Sequence, residues 1–253
     1  IRKQRREARY QPFNPQVLRR APAPLAYTVG GAGANVLVLA PPATDTQGNP
    51  NIVQAADAFL DTVRGVPGSA QACGLVVDLS GQTGGNAWPG IAALADLITP
   101  ANLAMMEARD GSRTKLAPPE ALEYYTMQLR DENRQLLARF RSLPFAVVVT
   151  RQTSSAGEMI GILLKGEARA RVFGWPTGGY TTVNNTVPLA TGDALAVSVA
   201  RYSFAGLPAI RGAFQPDVAL PAGAGKDAAL RQAADWARSQ SPACASHQEP
   251  GRG

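Results

Sequence analysis

Several residue types that would indicate a particular class of protein are scarce in this 253-residue chain. The single histidine, His247, and the two cysteines, Cys73 and Cys244, do not have metal-ligand spacing, so we expect no metal site. No apolar run approaches the roughly 18 residues that span a bilayer, which excludes a membrane-spanning chain. Aromatic residues make up only 6% and charged residues 17%, whereas 45% of residues are hydrophobic. That balance predicts a globular protein with ample material for a core.

Positive charge is concentrated at the start of the chain. Residues 1–20 hold seven basic side chains and one acid, whereas the remaining 233 residues carry 18 basic and 18 acidic groups. We expect 1–20 to be a flexible, solvated leader; the alternative is an arm that contacts a polyanion or an anionic membrane surface. The neutral body carries no nucleic-acid-binding motif, so no nucleic-acid partner is expected there. No charged-then-apolar leader follows Ile1, so we expect a signal peptide to be absent or already removed.

The two cysteines leave two alternatives open. A disulfide between Cys73 and Cys244 would suit a protein outside the cytoplasm. Two buried, unpaired thiols are equally compatible with the sequence, because pairing cannot be deduced from the positions of two cysteines alone.

Strand-sized apolar runs alternate with helical patterns, which predicts an α/β fold with a mostly parallel central sheet. The predicted strands are 25–29, 35–40 (after a turn at 30–34), 73–79, 146–150, 169–174, 186–190 and 194–204. The predicted helices are one that opens at 49–51 and reaches Val63, one at 89–98, a helix-rich stretch at 118–141, and two more at 153–165 and 227–239. We expect one folded core over 21–241 and a disordered tail over 242–253.

A glycine-rich loop follows the strand predicted at 73–79. The loop 78–86 contains Gly84 and Gly85, and paired glycines let a backbone approach a ligand and direct successive N–H groups toward one point. It lacks the Gly-Lys-Ser/Thr of a Walker loop and the Gly-x-Gly-x-x-Gly of a dinucleotide site, so no cofactor is expected. The alternative is a tight turn between a strand and a helix.

A second loop, Thr153–Glu158, also follows a buried strand. A serine where a strand turns into a helix lies beside free backbone N–H groups, which suits a nucleophile whose oxyanion needs donors. The alternative is a helix cap, with Ser154 or Ser155 capping and Glu158 completing a capping box. The two interpretations are compatible, because one serine can cap while its neighbour reacts.

The order of the motifs resembles that of the tail-specific, or C-terminal processing, serine peptidases. The resemblance rests on VVDLSGQTGGN (76–86), TSSAGE (153–158), FGWPTGGYTT (173–182), ALAVSVARYSF (194–204) and the pair Pro216–Asp217. It extends over roughly residues 25–240. The resemblance implies a crotonase-like layered fold, a peptide or protein substrate, and a core without the PDZ module found in that family.

When the family's functional residues are carried over position by position, the resemblance implies that Ser155 is the nucleophile. It assigns the oxyanion hole to the N–H of Ala156 and the backbone of Gly84 or Gly85, and it makes Glu158 a structural carboxylate. Acyl-enzyme formation through Ser155 is the expected chemistry.

The chain departs from the family pattern at the general base. The lysine that the family places 25 residues after the serine is replaced by Tyr180, and a related branch uses an upstream histidine, whereas His247 lies in the tail. A neutral tyrosine is a poor base at pH 7. Lys165 follows Ser155 by ten residues, so it would lie roughly 15 Å from the serine along the helix, which is too far for proton transfer. We expect Lys165 to neutralise the C-terminus of the helix instead. Thr181, Thr182 or Asn184 could position a water or the serine hydroxyl, as in some bacterial members.

Two functions therefore remain open at the level of the sequence. The first is a serine peptidase, and the resemblance implies export to the periplasm or cell envelope. The second is a non-catalytic ligand- or peptide-binding protein on the same fold, which the missing lysine favours. A third interpretation, polyanion binding through residues 1–20, predicts a steep salt dependence.

Overall fold

The computed structural model describes residues 25–29, 35–42 and 51–245. The predicted leader at 1–20, the turn at 30–34 and residues 246–253 of the predicted tail lie outside the described residues. Within them, the α/β fold with a mostly parallel central sheet is confirmed. The finer crotonase-like assignment stays a prediction.

The described residues form ten strands and seven α-helices. They are β1 (Leu25–Val29), β2 (Val36–Ala40), α1 (Ile52–Arg64), β3 (Gly74–Asp78), α2 (Trp88–Ala93), β4 (Ala104–Ala108), β5 (Arg113–Lys115), α3 (Pro119–Gln128), α4 (Asp131–Phe140), β6 (Phe145–Val149), α5 (Ala156–Lys165), β7 (Ala170–Gly174), β8 (Thr182–Pro188), β9 (Ala194–Phe204), β10 (Val218–Ala219), α6 (Lys226–Ser239) and α7 (Pro242–Ala245).

The central sheet has six strands in the order β1-β2-β3-β6-β7-β10. Only β1 runs antiparallel to its neighbour, and the other pairs are parallel. Every residue of β3 and β6 is buried, because helices cover both faces of the sheet. Leu75 and Val77 pack into the larger core with α1, α2 and α5, whereas Val76 packs on the opposite face against α6. The continuous apolar runs of the sequence therefore reflect burial on both sides.

A second sheet was not predicted. Its four strands follow the order β5-β4-β9-β8, and all pairs are antiparallel. The hairpin of β8 and β9 was predicted, with β8 beginning at Thr182 instead of residue 186. The strands β4 and β5 were missed because β4 is mostly half-buried and β5 has only three residues, so neither shows a strong alternating pattern.

The last helices close the sheet on its second face. Helix α6 is rich in alanine, and a Cβ on Gly74 of β3 would stand 3.3 Å from the backbone carbon of Ala237, so helix and strand are in close contact. Residues 242–245, predicted as disordered, instead form α7, whose Cys244 is fully buried and disulfide-bonded to Cys73. The prediction of disorder was wrong for these residues because the disulfide anchors the short helix to the start of β3. The free-thiol alternative was wrong as well.

Within the described ranges, every helix falls short of the length and apolar character that crossing a membrane requires.

We expect the disulfide to stabilise the fold substantially. The bond joins residues 171 positions apart, and closing a loop of that length in the unfolded chain corresponds to at most about 5 kcal/mol of stabilisation. The double substitution Cys73→Ala, Cys244→Ala should lower Tm by roughly 5–15 °C in thermal unfolding followed by circular dichroism. Wild type treated with a reductant is the matched control and should show the same shift. An unchanged Tm in both samples would contradict this role of the bond.

Candidate active site

Two loops meet at the carboxyl edge of the central sheet. Strands β3 and β6 are parallel neighbours, so the chain leaves both at the same edge, where ligands bind in open α/β sheets. The hydroxyl of Thr153 donates to the carbonyl of Leu79 at 2.8 Å, and the N–H of Ser154 donates to the carbonyl of Gln82 at 2.8 Å. These bonds hold the serine loop and the glycine loop together, although the two loops are distant in sequence.

Ser155 adopts an unusual backbone conformation where the chain enters α5. It is the N-cap of this helix, with φ 51° and ψ −111°, and no other non-glycine residue in the described ranges has a positive φ. Such a conformation costs about 1–3 kcal/mol and persists only where the surroundings enforce it. The helix begins at Ala156, three residues later than the sequence predicted, because Ser155 turns the backbone sharply before it.

The double glycine lies directly against this serine. Gly84 and Gly85 have φ values of 135° and 107°, which side chains rarely allow. A Cβ on Gly84 would stand 3.4 Å from Cβ and 3.8 Å from Oγ of Ser155. The N–H groups of Gly84, Gly85 and Ala156 have no hydrogen-bond acceptor among the described residues. The site therefore brings a serine together with three backbone donors that the fold leaves unused.

The contact between the loops depends on two residues that the sequence patterns did not single out. A Cβ on Gly157 would lie 2.5 Å from the carbonyl oxygen of Gln82, so only glycine allows the two loops to approach this closely. The sequence signal for this residue is its place in the Ser-Ala-Gly-Glu motif. Gln82 itself contributes a backbone carbonyl, which no side-chain pattern reveals.

Glu158 is the centre of the hydrogen-bond network behind the site. Its side chain is fully buried (0% exposed). Oε2 accepts the N–H of Ser155 at 2.9 Å and the N–H of Tyr180 at 2.7 Å. Oε1 accepts the N–H of Gly179 at 2.8 Å and the hydroxyl of Thr177. Four donors satisfy the buried carboxylate, and the carboxylate ties the serine loop to the segment 177–180.

Tyr202 of β9 lies near this carboxylate. Burial and, next, the negative charge of Glu158 raise the pKa of Tyr202 to about 12. Both effects disfavour the phenolate, which is why the shift is upward. The upward shift makes Tyr202 poorly suited to act as a general base at physiological pH.

The residue at the position of the family's lysine points into solvent. The side chain of Tyr180 is 67% exposed, and its connection to the site is through its backbone N–H to Glu158. Lys165 lies in the last turn of α5, where its charge was expected to neutralise the helix C-terminus, and it forms an ion pair with Asp217. Lys115 donates to the carbonyl of Pro100 at 3.1 Å.

The other lysine in the described part of the chain does not contact the serine either. Lys226 pairs with Asp78 at 2.9 Å. Lys3 and His247 lie outside the described residues. In the described part of the chain, no lysine or histidine contacts Ser155. No group of three or more His, Cys, Asp or Glu residues in the described ranges could hold a metal ion.

The polar residues after Tyr180 are committed to other contacts. The hydroxyl of Thr181 is buried and donates to the carbonyl of Gly212 at 2.9 Å. The Thr182 hydroxyl donates to Oδ1 of Asn184 at 3.3 Å, and Ser198 donates to the same oxygen at 2.7 Å. None of the three residues predicted to position a water or the serine hydroxyl forms a hydrogen bond with Ser155 among the described residues.

Comparison with proteins of known sequence gives two curated relatives. The chain is 44% identical over 61 residues to carboxyl-terminal-processing peptidase 2, chloroplastic, from Arabidopsis thaliana, a match that covers 24% of this chain and 12% of that protein. It is 26% identical over 129 residues to the nisin-resistance protein of Lactococcus lactis subsp. lactis, covering 50% of this chain and 39% of that protein. The chain thus spans well under half the length of the curated relatives it matches.

Solved structures show the same fold. A lipoprotein from Streptococcus agalactiae superposes with a TM-score of 0.66 at 24% identity, over 86% of this chain and 70% of that one. Mature CPAF superposes with a TM-score of 0.51 at 13% identity, over 88% of this chain and 55% of that one. At these identities the likeness concerns the fold alone.

A family model matches the central part of the sequence. The model of peptidase family S41 matches residues 47–220, more than half of the chain, and this range contains both loops, Ser155, Glu158 and the segment 177–180. By this match, the chain belongs to peptidase family S41.

Proposed function

We propose that the protein is a serine peptidase of the C-terminal processing type, acting on a peptide or protein through Ser155. The single observation that carries this proposal is the contact of Ser155 with Gly84, beside the unused N–H groups of Gly84, Gly85 and Ala156. Donors without an acceptor at the start of a helix suit an anion that forms only during reaction. Membership of a peptidase family supports the same reaction.

The proposed reaction has two steps. Oγ of Ser155 attacks the carbonyl carbon of the scissile bond, and the carbonyl oxygen becomes an oxyanion that the N–H groups of Ala156 and of Gly84 or Gly85 stabilise. The C–N bond then breaks, the amine leaves with the proton that the Ser155 hydroxyl has given up, and a serine ester remains. Water hydrolyses this ester and releases the carboxylic acid. Glu158 positions Ser155 through its backbone N–H and does not take part as an acid or base.

A second candidate, a non-catalytic peptide-binding protein on the same fold, is favoured by one observation. Tyr180 stands where the family has its lysine, and no lysine or histidine in the described ranges contacts Ser155. Without a group to accept its proton, a serine hydroxyl is a weak nucleophile.

Covalent labelling distinguishes the two candidates. Wild-type protein should react with a fluorophosphonate, because the phosphonyl oxygen occupies the place of an oxyanion. Trypsin cleaves after Arg151 and Lys165, so the adduct should appear in the fragment 152–165 and map to Ser155 by tandem mass spectrometry. Labelling that is absent, or equal before and after denaturation, would support the binding protein and reject the peptidase.

The disulfide also supports a location outside the cytoplasm, in the periplasm or cell envelope. A buried bond between Cys73 and Cys244 forms and persists in an oxidising compartment. Two of the similar proteins, one named a lipoprotein and one a nisin-resistance protein, are consistent with an envelope location.

A further inference from the structure

A groove of about 320 Å³ crosses the four-stranded sheet. Strands β4, β8 and β9 supply part of its wall, and the loops that follow β4 and β9 supply the rest. The polar residues that line it are Glu107, Arg109, Thr182, Ser198, Arg201 and Arg211. Half of these are arginines, which is unusual for a body of the chain that is neutral as a whole.

Arg201 has no ion pair among the described residues, although the strand register places a carboxylate opposite it. Glu107 and Thr182 both lie directly opposite Arg201, so the three side chains share one face of the sheet. Glu107 is engaged on its other side, where its carboxylate pairs with Arg113 at 2.5 Å. Arg201 therefore has no carboxylate within 4 Å among the described residues.

The other two arginines of the groove are also without an ion pair in the described part of the chain. Asp110 follows Arg109, but its carboxylate accepts the N–H of Ser112 at 2.9 Å and closes a tight turn. The three unpaired arginines and Arg113 give the groove and its rim four positive charges. Glu107 and Asp110 give them two negative charges. A concave site with such an excess of positive charge attracts anions.

A short stretch of chain connects the wall of the groove to the segment that Glu158 anchors. Tyr180 donates its N–H to Glu158, and Thr181, the next residue, donates its hydroxyl to the carbonyl of Gly212. Arg211 precedes this glycine. Thr182, which lines the groove, is two residues from Tyr180, and two residues of extended chain span at most about 7 Å. A peptide bound at Ser155 would need only a few residues to reach the arginines.

We propose that this groove binds the acidic side chains of the substrate, so that the protein prefers peptides with Asp or Glu a few residues from the scissile bond. The inference rests on the proposed peptidase function. Guanidinium groups bind carboxylates with paired N–H donors, and three of them leave room for more than one acidic side chain. Lysine or arginine at the same peptide positions would be repelled.

The test uses internally quenched peptides in which each position on either side of the scissile bond is fixed in turn as Glu, Gln or Lys. Wild type should cleave the best Glu peptide about tenfold faster than its Gln counterpart in kcat/KM, and the Lys peptide more slowly still. Arg201→Gln and Arg211→Gln should each lower kcat/KM for the Glu peptide about three- to tenfold and leave that for the Gln peptide within about twofold.

The control is Arg231→Gln. Arg231 is an exposed arginine of α6, on the far face of the central sheet, and the substitution removes the same charge. It should leave the preference for Glu unchanged. Equal kcat/KM for Glu and Gln peptides in wild type would overturn the proposal, as would an equal loss of preference in Arg231→Gln.

Fluorophosphonate labelling of each preparation separates the two possible failures. If Ser155 is labelled and no Glu preference exists, the groove proposal fails while the peptidase stands. If Ser155 is not labelled, the peptidase fails, and the groove is tested by fluorescence anisotropy with labelled Glu and Gln peptides. Tighter binding of the Glu peptide that Arg201→Gln weakens would then support an acidic-peptide site, and equal binding of both peptides would reject it.

Discussion

Ser155→Ala is expected to lower kcat/KM for peptide hydrolysis by at least about 10³-fold, because the substitution removes the atom that forms the acyl-enzyme. The rest of the site stays in place, since the Glu158 carboxylate accepts the backbone N–H of residue 155, which alanine keeps. Peptide binding should therefore change little. Hydrolysis is followed with a quenched peptide, and binding by anisotropy of a labelled one.

Ser154→Ala is the matched control. Ser154 is the adjacent serine, similarly half-buried, and its hydroxyl lies against Gly178 on the neighbouring loop. Its loss should change kcat/KM by less than about threefold, because Ser154 does not form the ester. If both serine variants keep wild-type activity, Ser155 is not the nucleophile.

Glu158→Gln is expected to damage both the stability of the fold and the reactivity of Ser155. Each carboxylate oxygen accepts a backbone N–H and a second donor, so the amide group of Gln would face two donors whichever way it is oriented. Buried donors that lose their acceptor cost about 1–3 kcal/mol each. We expect unfolding to become easier by about 3 kcal/mol and the rate of fluorophosphonate labelling to fall roughly 10- to 100-fold, measured by denaturant unfolding and by gel fluorescence.

Glu167→Gln serves as the control for this substitution. Glu167 is also a buried carboxylate, but it follows the other end of α5 and accepts the N–H of Thr99 and the side-chain amide of Asn102. Its substitution should lower stability without slowing the labelling of Ser155 in the protein that remains folded. Equal labelling rates in the two variants would mean that Glu158 contributes to stability, as Glu167 does, and does not position Ser155.

The parts of the fold that the sequence predicts well are those whose signal is local. The runs that became β3 and β6 are apolar throughout because both of their faces are buried, and the two loops that follow them are short and rich in glycine and serine. Parallel neighbours place their carboxyl ends at one edge, so the meeting of the two loops follows from the fold class. Ser155 could be proposed on that basis together with the family motif.

What the sequence does not predict depends on distant partners. The strand β4 is recognisable only beside β9, to which it pairs much later in the chain. The disulfide depends on α6 bringing the end of the chain back to the start of β3. Three of the four donors to Glu158 are backbone N–H groups, two of them from the segment 177–180, and backbone atoms leave no mark on side-chain composition.

The central claim is that the backbone N–H groups of Ala156 and the double glycine face an anion formed on Ser155, and a crystal structure of the phosphonylated protein tests it most directly. We predict a phosphorus bonded to Oγ of Ser155, with its free oxygen about 2.7–3.1 Å from the amide nitrogen of Ala156 and from that of Gly84 or Gly85. A phosphonyl oxygen that points to solvent, with both amides unoccupied, would contradict the account.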